Sequence, residues 1–244
     1  MKALLPFLLI TIVFAGCKKQ IATTTQAVPI IKPVNPVDSD AYYYLALGDS
    51  YTAGTAEPAY VSYPIQLQNY INNNKLSMPV PTIIATDGWT TTDLINGIAK
   101  SNIANNKYQV VTLLIGVNDQ FGDYSQASYR ANFVKLLHTA INFAGGDSTR
   151  VFVLSIPDYG VTPFAMGRDS TIGPQIDQFN AINKQESTNA GVNYLDITAI
   201  SREAATDTSL IAPDGLHPSG KMYKLWIDQL GPMVVKRLQQ KKYP

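Results

Sequence analysis

One cysteine, two histidines and almost no net charge are the first features of this 244-residue chain. A lone cysteine excludes an internal disulfide and any cysteine-rich metal cluster. Two histidines leave too few ligands for a histidine-based zinc site. Charged residues make up only 15% of the chain and the formal net charge is +1. Without Lys2, the one basic residue among positions 1–16, nineteen basic residues become eighteen, facing eighteen acidic ones. Such a balance lacks the basic stripe that nucleic acid requires. No internal repeat is present.

What is there begins with a targeting segment. Met1-Lys2 is a minimal basic start, and Ala3 to Ala15 is an apolar run too short to span a bilayer comfortably but suited to a secretory signal. The run ends Phe14-Ala15-Gly16-Cys17, small residues before the only cysteine. This resembles a bacterial lipoprotein signal, in which residues 1–16 are removed and Cys17 is lipidated as the first mature residue. An ordinary signal peptide with an incidental cysteine is the alternative. Lys18 and Lys19 follow, without the aspartate associated with inner-membrane retention, which points to an outer-membrane, extracytoplasmic location. Residues 17–40 carry Thr23-Thr24-Thr25-Gln26 and then Pro29, Pro33 and Pro36, and read as an extended tether. Residues 41–244 are long enough for one domain with a sizeable core.

That domain alternates strand and helix five times. Tyr43 to Leu47 is the first strand, ending at Gly48-Asp49-Ser50, after which the chain is expected to enter a loop. A helix opens near Ser62, with Pro64 in its first turn. Pro81 to Thr86 is the second strand and Tyr108 to Ile115 a central one, apolar on both faces. Tyr129, Phe133, Leu136, Leu137, Ala140 and Ile141 keep helical spacing up to Gly145-Gly146. Val151 to Ile156 and Tyr194 to Ile197 complete the strands. Pro157 to Gly173 reads as a long irregular loop, and Gly231-Pro232 as a kink or split in the last helix. Such alternation predicts a parallel sheet with helices on both faces, a three-layer α/β/α sandwich.

Four separated blocks carry the chemistry. Gly48-Asp49-Ser50 follows the first strand and Asp87-Gly88-Trp89-Thr90 the second. Ile115-Gly116-Val117-Asn118-Asp119 closes the third, and Asp214-Gly215-Leu216-His217-Pro218 precedes the last helix. A serine past the carboxyl end of a central strand sits where open α/β sheets place their reactive groups, although a turn serine would read the same way. His217, held between Gly215 and Pro218, suits a base better than His138, which lies on a periodic helix beside Leu136 and Leu137. Asp214 and Asp196 both qualify as its partner. Gly88 reads equally as a turn glycine, and Asn118 as a cap for the following helix.

Together the blocks resemble the SGNH (GDSL-type) hydrolase family of esterases and lipases, over about residues 41 to 240. The resemblance implies a flavodoxin-like fold with a five-stranded parallel sheet in the order 2-1-3-4-5. It implies Ser50 as nucleophile, His217 as base and Asp214 as its orienter, with the backbone N–H of Ser50, that of Gly88 and the Asn118 amide as the oxyanion hole. Asp49 and Asp119 are assigned to holding the loops of their neighbours. No cofactor or metal is implied. The expected function is an extracytoplasmic serine esterase working on acyl esters of lipids or on acetylated glycan, attached to the membrane through its lipid. A non-catalytic glycan- or lipid-binding lipoprotein and an acyltransferase are the alternatives. Tyr159, Phe164, Met166, Trp89 and Phe121 are candidates for an acyl-facing wall, or for covering the sheet edge.

Overall fold

The computed structural model describes residues 41–240. Residues 1–40, with the expected signal segment, Cys17 and the expected tether, lie outside the described residues. Five parallel strands, β1 (Tyr44–Gly48), β2 (Thr82–Ala85), β3 (Val110–Leu114), β4 (Val151–Leu154) and β5 (Asn193–Leu195), form one sheet in the order β2-β1-β3-β4-β5. Every residue of β1, β3 and β4 is buried, as apolar runs covered on both faces demand.

Helix α2 (Tyr63–Asn73) packs against the last helix, α8 (Gly220–Gln239), while α3 (Thr91–Lys100), α5 (Gln126–Phe143) and α6 (Asp169–Asn189) adjoin one another in turn. The α2–α8 contact is aromatic: the Tyr63 ring lies 6.3 Å from Tyr223 and 6.1 Å from Trp226, all three fully buried. Short helices α1 (Ser50–Ala53), α4 (Val117–Phe121) and α7 (Thr198–Arg202) follow strands β1, β3 and β5.

Strand register aligns three of the four blocks. Gly48, the last residue of β1, pairs with Ala85 on one side and Leu114 on the other. Three strands therefore end level, and Ser50, Gly88 and Asn118 fall two, three and four residues past that common edge. Gly48 is confined to glycine by the same closeness: a Cβ there would lie 2.4 Å from the Leu114 carbonyl oxygen.

Four expectations need correction. Ser50 opens a helical turn instead of a loop, because the Asp49 side chain caps it by accepting from Tyr51 N–H. Asn118 and Asp119 likewise lie inside a helical turn, α4, and the alternative reading of Asn118 as a cap finds no support. The stretch Pro157 to Gly173 is irregular only as far as Arg168. It contains two 3-10 turns, Tyr159–Val161 and Pro163–Ala165, and α6 already begins at Asp169 despite Gly173 and Pro174. Finally, α8 runs unbroken through Gly231-Pro232. A proline inside a helix costs about 3 kcal/mol, but Leu230 and Val234 are fully buried on either side of it and hold the helix down. Gly231 lets Tyr70 of α2 approach, since a Cβ there would stand 2.6 Å from its ring.

Candidate active site

Ser50 is the first residue of α1 and almost fully buried. Neither its backbone N–H nor its hydroxyl has a hydrogen-bond partner among the described residues. The backbone donor is one of those that a helix start leaves free. Beneath it runs a buried hydroxyl ladder: Thr52 Oγ1 to Tyr63 at 3.3 Å, Tyr63 to Thr112 at 3.1 Å, and Thr112 to Tyr44 at 2.8 Å. The floor of the serine turn is thereby fixed to β1, β3 and α2.

Asp49 is fully buried, and one oxygen caps α1 from 3.0 Å while the other, Oδ2, has no partner among the described residues. Burial pushes this carboxyl up to about 8, against the Tyr51 N–H and with a contribution from the Asp119 charge. A group raised in the folded state favours folding below its unfolded value and loses that contribution as pH rises through the folded one. Wild-type stability is therefore expected to fall relative to Asp49→Asn between pH about 4 and about 8, then run parallel to it. Thermal melts of both proteins at pH 5 to 9 check this. A melting-temperature difference that stays constant across the range would contradict it.

His217 and Asp214 come from one tight turn. Asp214 Oδ1 accepts from the backbone N–H of Leu216 and of His217, each at 3.0 Å, while Oδ2 lies 2.5 Å from His217 Nδ1. Burial raises the Asp214 carboxyl, but the His217 ring and the two backbone donors outweigh it and hold it below the ordinary value. An ionised carboxylate can only accept, so the proton of the neutral ring belongs on Nδ1 and Nε2 keeps its lone pair. The turn is closed behind by Ala212 N–H donating to the His217 carbonyl at 2.7 Å. In front, the His217 ring meets Tyr51 edge-on at 5.7 Å, beside Ser50 in sequence. Asp196 is engaged elsewhere, accepting from Ser155 at 3.2 Å and from Thr198 N–H at 3.0 Å. His138 is exposed on α5.

Gly88 has φ +76, a conformation that side chains rarely adopt, and nothing lies within 4 Å of where a Cβ would be. Backbone conformation, not crowding, is what requires glycine here. Its N–H has no partner among the described residues. Asn118 donates one amide hydrogen to the Trp89 carbonyl at 3.0 Å, which aims the amide and leaves its second hydrogen free. Asp119, buried, accepts from Thr91 N–H at 2.8 Å and from Thr91 Oγ1 at 2.6 Å. The third block therefore holds the second by two adjacent side chains. Thr91 was not singled out by sequence; the preceding Thr90-x-x-Asp93 capping box was its available signal.

Phe121, Tyr159 and Phe164 form a ring cluster with centroids 6.2 to 6.4 Å apart. Phe121 and Phe164 are exposed, and Met166 is 81% exposed at the end of the same turn. Phe164 N–H donates to the Gly215 carbonyl at 3.0 Å, which joins this rim to the His217 turn. The Trp89 ring lies against Gly97 of α3, where a Cβ would meet it at 2.2 Å. That contact with α3 leaves the ring half-buried. Among the described residues no cluster of three or more His, Cys, Asp or Glu is placed to hold a metal.

Solved structures share this architecture. A lipase/acylhydrolase from Enterococcus faecalis is 23% identical with a TM-score of 0.62, over 83% of this chain and 100% of that one. The psychrotrophic esterase EstA from a Pseudoalteromonas species is 17% identical with a TM-score of 0.62, over 82% and 99%. Axe2, an acetylxylan esterase from Geobacillus stearothermophilus, is 18% identical with a TM-score of 0.61, over 80% and 93%. At these identities the likeness is one of fold. No curated protein matches the sequence. The model of the GDSL-like Lipase/Acylhydrolase family matches residues 46–225, from β1 into α8. With that match over most of its length and the 2-1-3-4-5 sheet beneath it, the chain belongs to the GDSL-like lipase/acylhydrolase family and is a carboxylic ester hydrolase.

Proposed function

We propose that this hydrolase is an extracytoplasmic, lipid-anchored serine esterase that works through an acyl-enzyme. The observation that carries the chemistry is the Asp214–His217 hydrogen bond, in a turn whose imidazole packs on the residue next to Ser50. His217 Nε2 takes the Ser50 proton as Oγ attacks the ester carbonyl carbon, and Asp214 stabilises the imidazolium that forms. The carbonyl oxygen, now negative, is received by the three unspent N–H donors of Ser50, Gly88 and Asn118. Collapse expels the alcohol, which takes the proton from His217. Water then enters and gives a proton to the same nitrogen as its oxygen attacks the acyl carbon; the bond to Ser50 Oγ breaks, Ser50 takes the proton back from His217, and the acid leaves.

Intact Ser50, Asn118, Asp214 and His217 favour catalysis over a binding role, which has no need of all four. An acyltransferase differs only in what attacks the acyl-enzyme, and product analysis with an added alcohol acceptor separates it from a hydrolase. Longer acyl esters and acetylated glycan are the substrate classes in view. The exposed Phe121–Phe164 rim offers apolar contact to either an acyl chain or a sugar face. A chromogenic ester series from acetate to palmitate tests the reading, with turnover expected on at least one member. Absence of turnover across the series would overturn it.

Asn118→Ala is expected to lower kcat about a hundred- to a thousand-fold with a smaller change in KM, because the lost donor acts on the transition state. Steady-state kinetics on the best ester check this, and an effect confined to KM would make Asn118 a substrate-binding residue.

Anchoring rests on the small-residue run ending at Cys17. Cys17→Ser is expected to release the protein from membranes or to block maturation, as read by cell fractionation. Normal processing with continued membrane association would contradict lipidation.

A further inference from the structure

The segment that follows the nucleophile helix touches the second block and the start of α8, two residues past the end of the fourth. Gly54 and Thr55 both donate their backbone N–H to the Ser50 carbonyl, at 2.9 and 3.2 Å, so the segment starts from the nucleophile itself. Thr55 Oγ1 then donates to Asp87 Oδ1, on the residue before Gly88. Two residues later, Glu57 Oε1 accepts from the backbone N–H of Gly220 at 3.2 Å, three residues past His217. Between them Ala56 has φ +67, an uncommon conformation for a residue with a side chain. Such strain persists only where surrounding contacts enforce it, and here a contact stands on each side.

We infer that Thr55, Asp87 and Glu57 are positioning residues, and that residues 54–57 form a strap setting the Ser50 turn against Gly88 on one side and against the His217 segment on the other. This rests on the serine-esterase reading above. The two links are physically different. The Thr55–Asp87 bond fixes how far the Gly88 N–H stands from Ser50, and so acts on stabilisation of the oxyanion. The Glu57–Gly220 bond fixes the start of α8, directly behind His217-Pro218-Ser219, and so acts on where the base stands. None of the three side chains is required to touch substrate. Their contribution should therefore appear in kcat, because small displacements of catalytic groups raise the barrier without removing ground-state contacts.

The test uses the full chain and the best chromogenic ester. Thr55→Val and Asp87→Ala are each expected to lower kcat about ten-fold, below the hundred-fold that a 1 Å misplacement costs, with KM nearly constant. The Thr55→Val/Asp87→Ala double variant is expected to be no worse than either single one, since both remove the same bond. Thr55→Ser keeps the hydroxyl and is expected to restore most of the rate. Glu57→Ala is expected to lower kcat, while Glu57→Gln keeps the acceptor oxygen and most of the activity.

Melting temperatures are measured alongside, and a loss of more than about 4 °C, beyond what one weak bond contributes in a domain of this size, marks a folding effect. If Thr55→Val melts early, Asp87→Ala on its exposed loop carries the same test. Additive losses in the double variant, losses confined to KM, or unchanged kcat in the single variants would overturn the strap. Turnover that survives Ser50→Ala would overturn the underlying reading instead, so the two failures are distinguishable.

Discussion

Ser50→Ala is expected to abolish ester hydrolysis and leave the fold intact, a loss on the order of a million-fold in kcat if the serine–histidine–aspartate template holds. The fold should survive for a specific reason. The Ser50 hydroxyl has no hydrogen-bond partner among the described residues, so alanine leaves no buried group stranded. Alanine also favours the helical turn that Ser50 opens, and Asp49 continues to cap it through Tyr51 N–H. The backbone N–H at position 50 remains. Any residual rate, about a thousand- to ten-thousand-fold over water in the same template, would therefore report the oxyanion donors acting alone. Kinetics on pure protein, with melting curves for both proteins, decide the matter. Unchanged turnover in Ser50→Ala would end the serine-esterase reading.

Asp214→Asn is expected to cost on the order of a thousand-fold in kcat, somewhat less than the ten-thousand-fold of the serine-protease template. Asp214 uses both oxygens, Oδ1 on two backbone N–H groups and Oδ2 on His217 Nδ1. An asparagine amide cannot replace both. With its oxygen left on the backbone donors, its NH2 faces Nδ1 and forces the ring proton onto Nε2, where it cannot accept from Ser50. With its oxygen turned to the ring, its NH2 opposes two backbone N–H groups and opens the turn. Either way the base is lost or displaced. The loss falls short of the template because the Asp214 side chain is 33% exposed, so water screens and partly replaces it.

Asp196→Asn is the control, since that carboxylate serves Ser155 and Thr198 and has no contact with His217. Its kcat is expected to stay within about two-fold of wild type, in line with a site that does not act on the transition state. A large loss in Asp196→Asn, with little in Asp214→Asn, would place the third member of the triad at the end of β5.

Much of the fold was legible because its signals are local. Buried parallel strands read as short apolar runs, and α5 announced itself through Tyr129, Phe133, Leu136, Leu137 and Ala140, all of them buried. The family's strand order came from the four blocks, not from periodicity, which is blind to which strands are neighbours. Misreadings fell where tertiary contacts outweigh local preference. Gly173 read as the end of a loop and Gly231-Pro232 as a kink or split, yet both positions lie inside helices, and the second is anchored by buried Leu230 and Val234. The short α4 around Asn118 was not foreseen, since it is set by the Gly116 turn and by bonds from Asn118 to Trp89 and from Thr91 to Asp119, far off in sequence.

For the site the division is similar. Sequence by itself determined the chemistry available: one serine after the first strand and one histidine in a constrained turn. Residue types and spacings alone state that much. Only the tertiary structure shows which carboxylate the His217 ring reaches, Asp214 at 2.5 Å and not Asp196, since both are plausible turn aspartates in one dimension. It also set Trp89 against Gly97 of α3 and joined Phe164 to Gly215. Thr55 and Glu57 became connections rather than loop residues for the same reason: a hydrogen bond between blocks 32 or 163 residues apart leaves no local mark on the sequence.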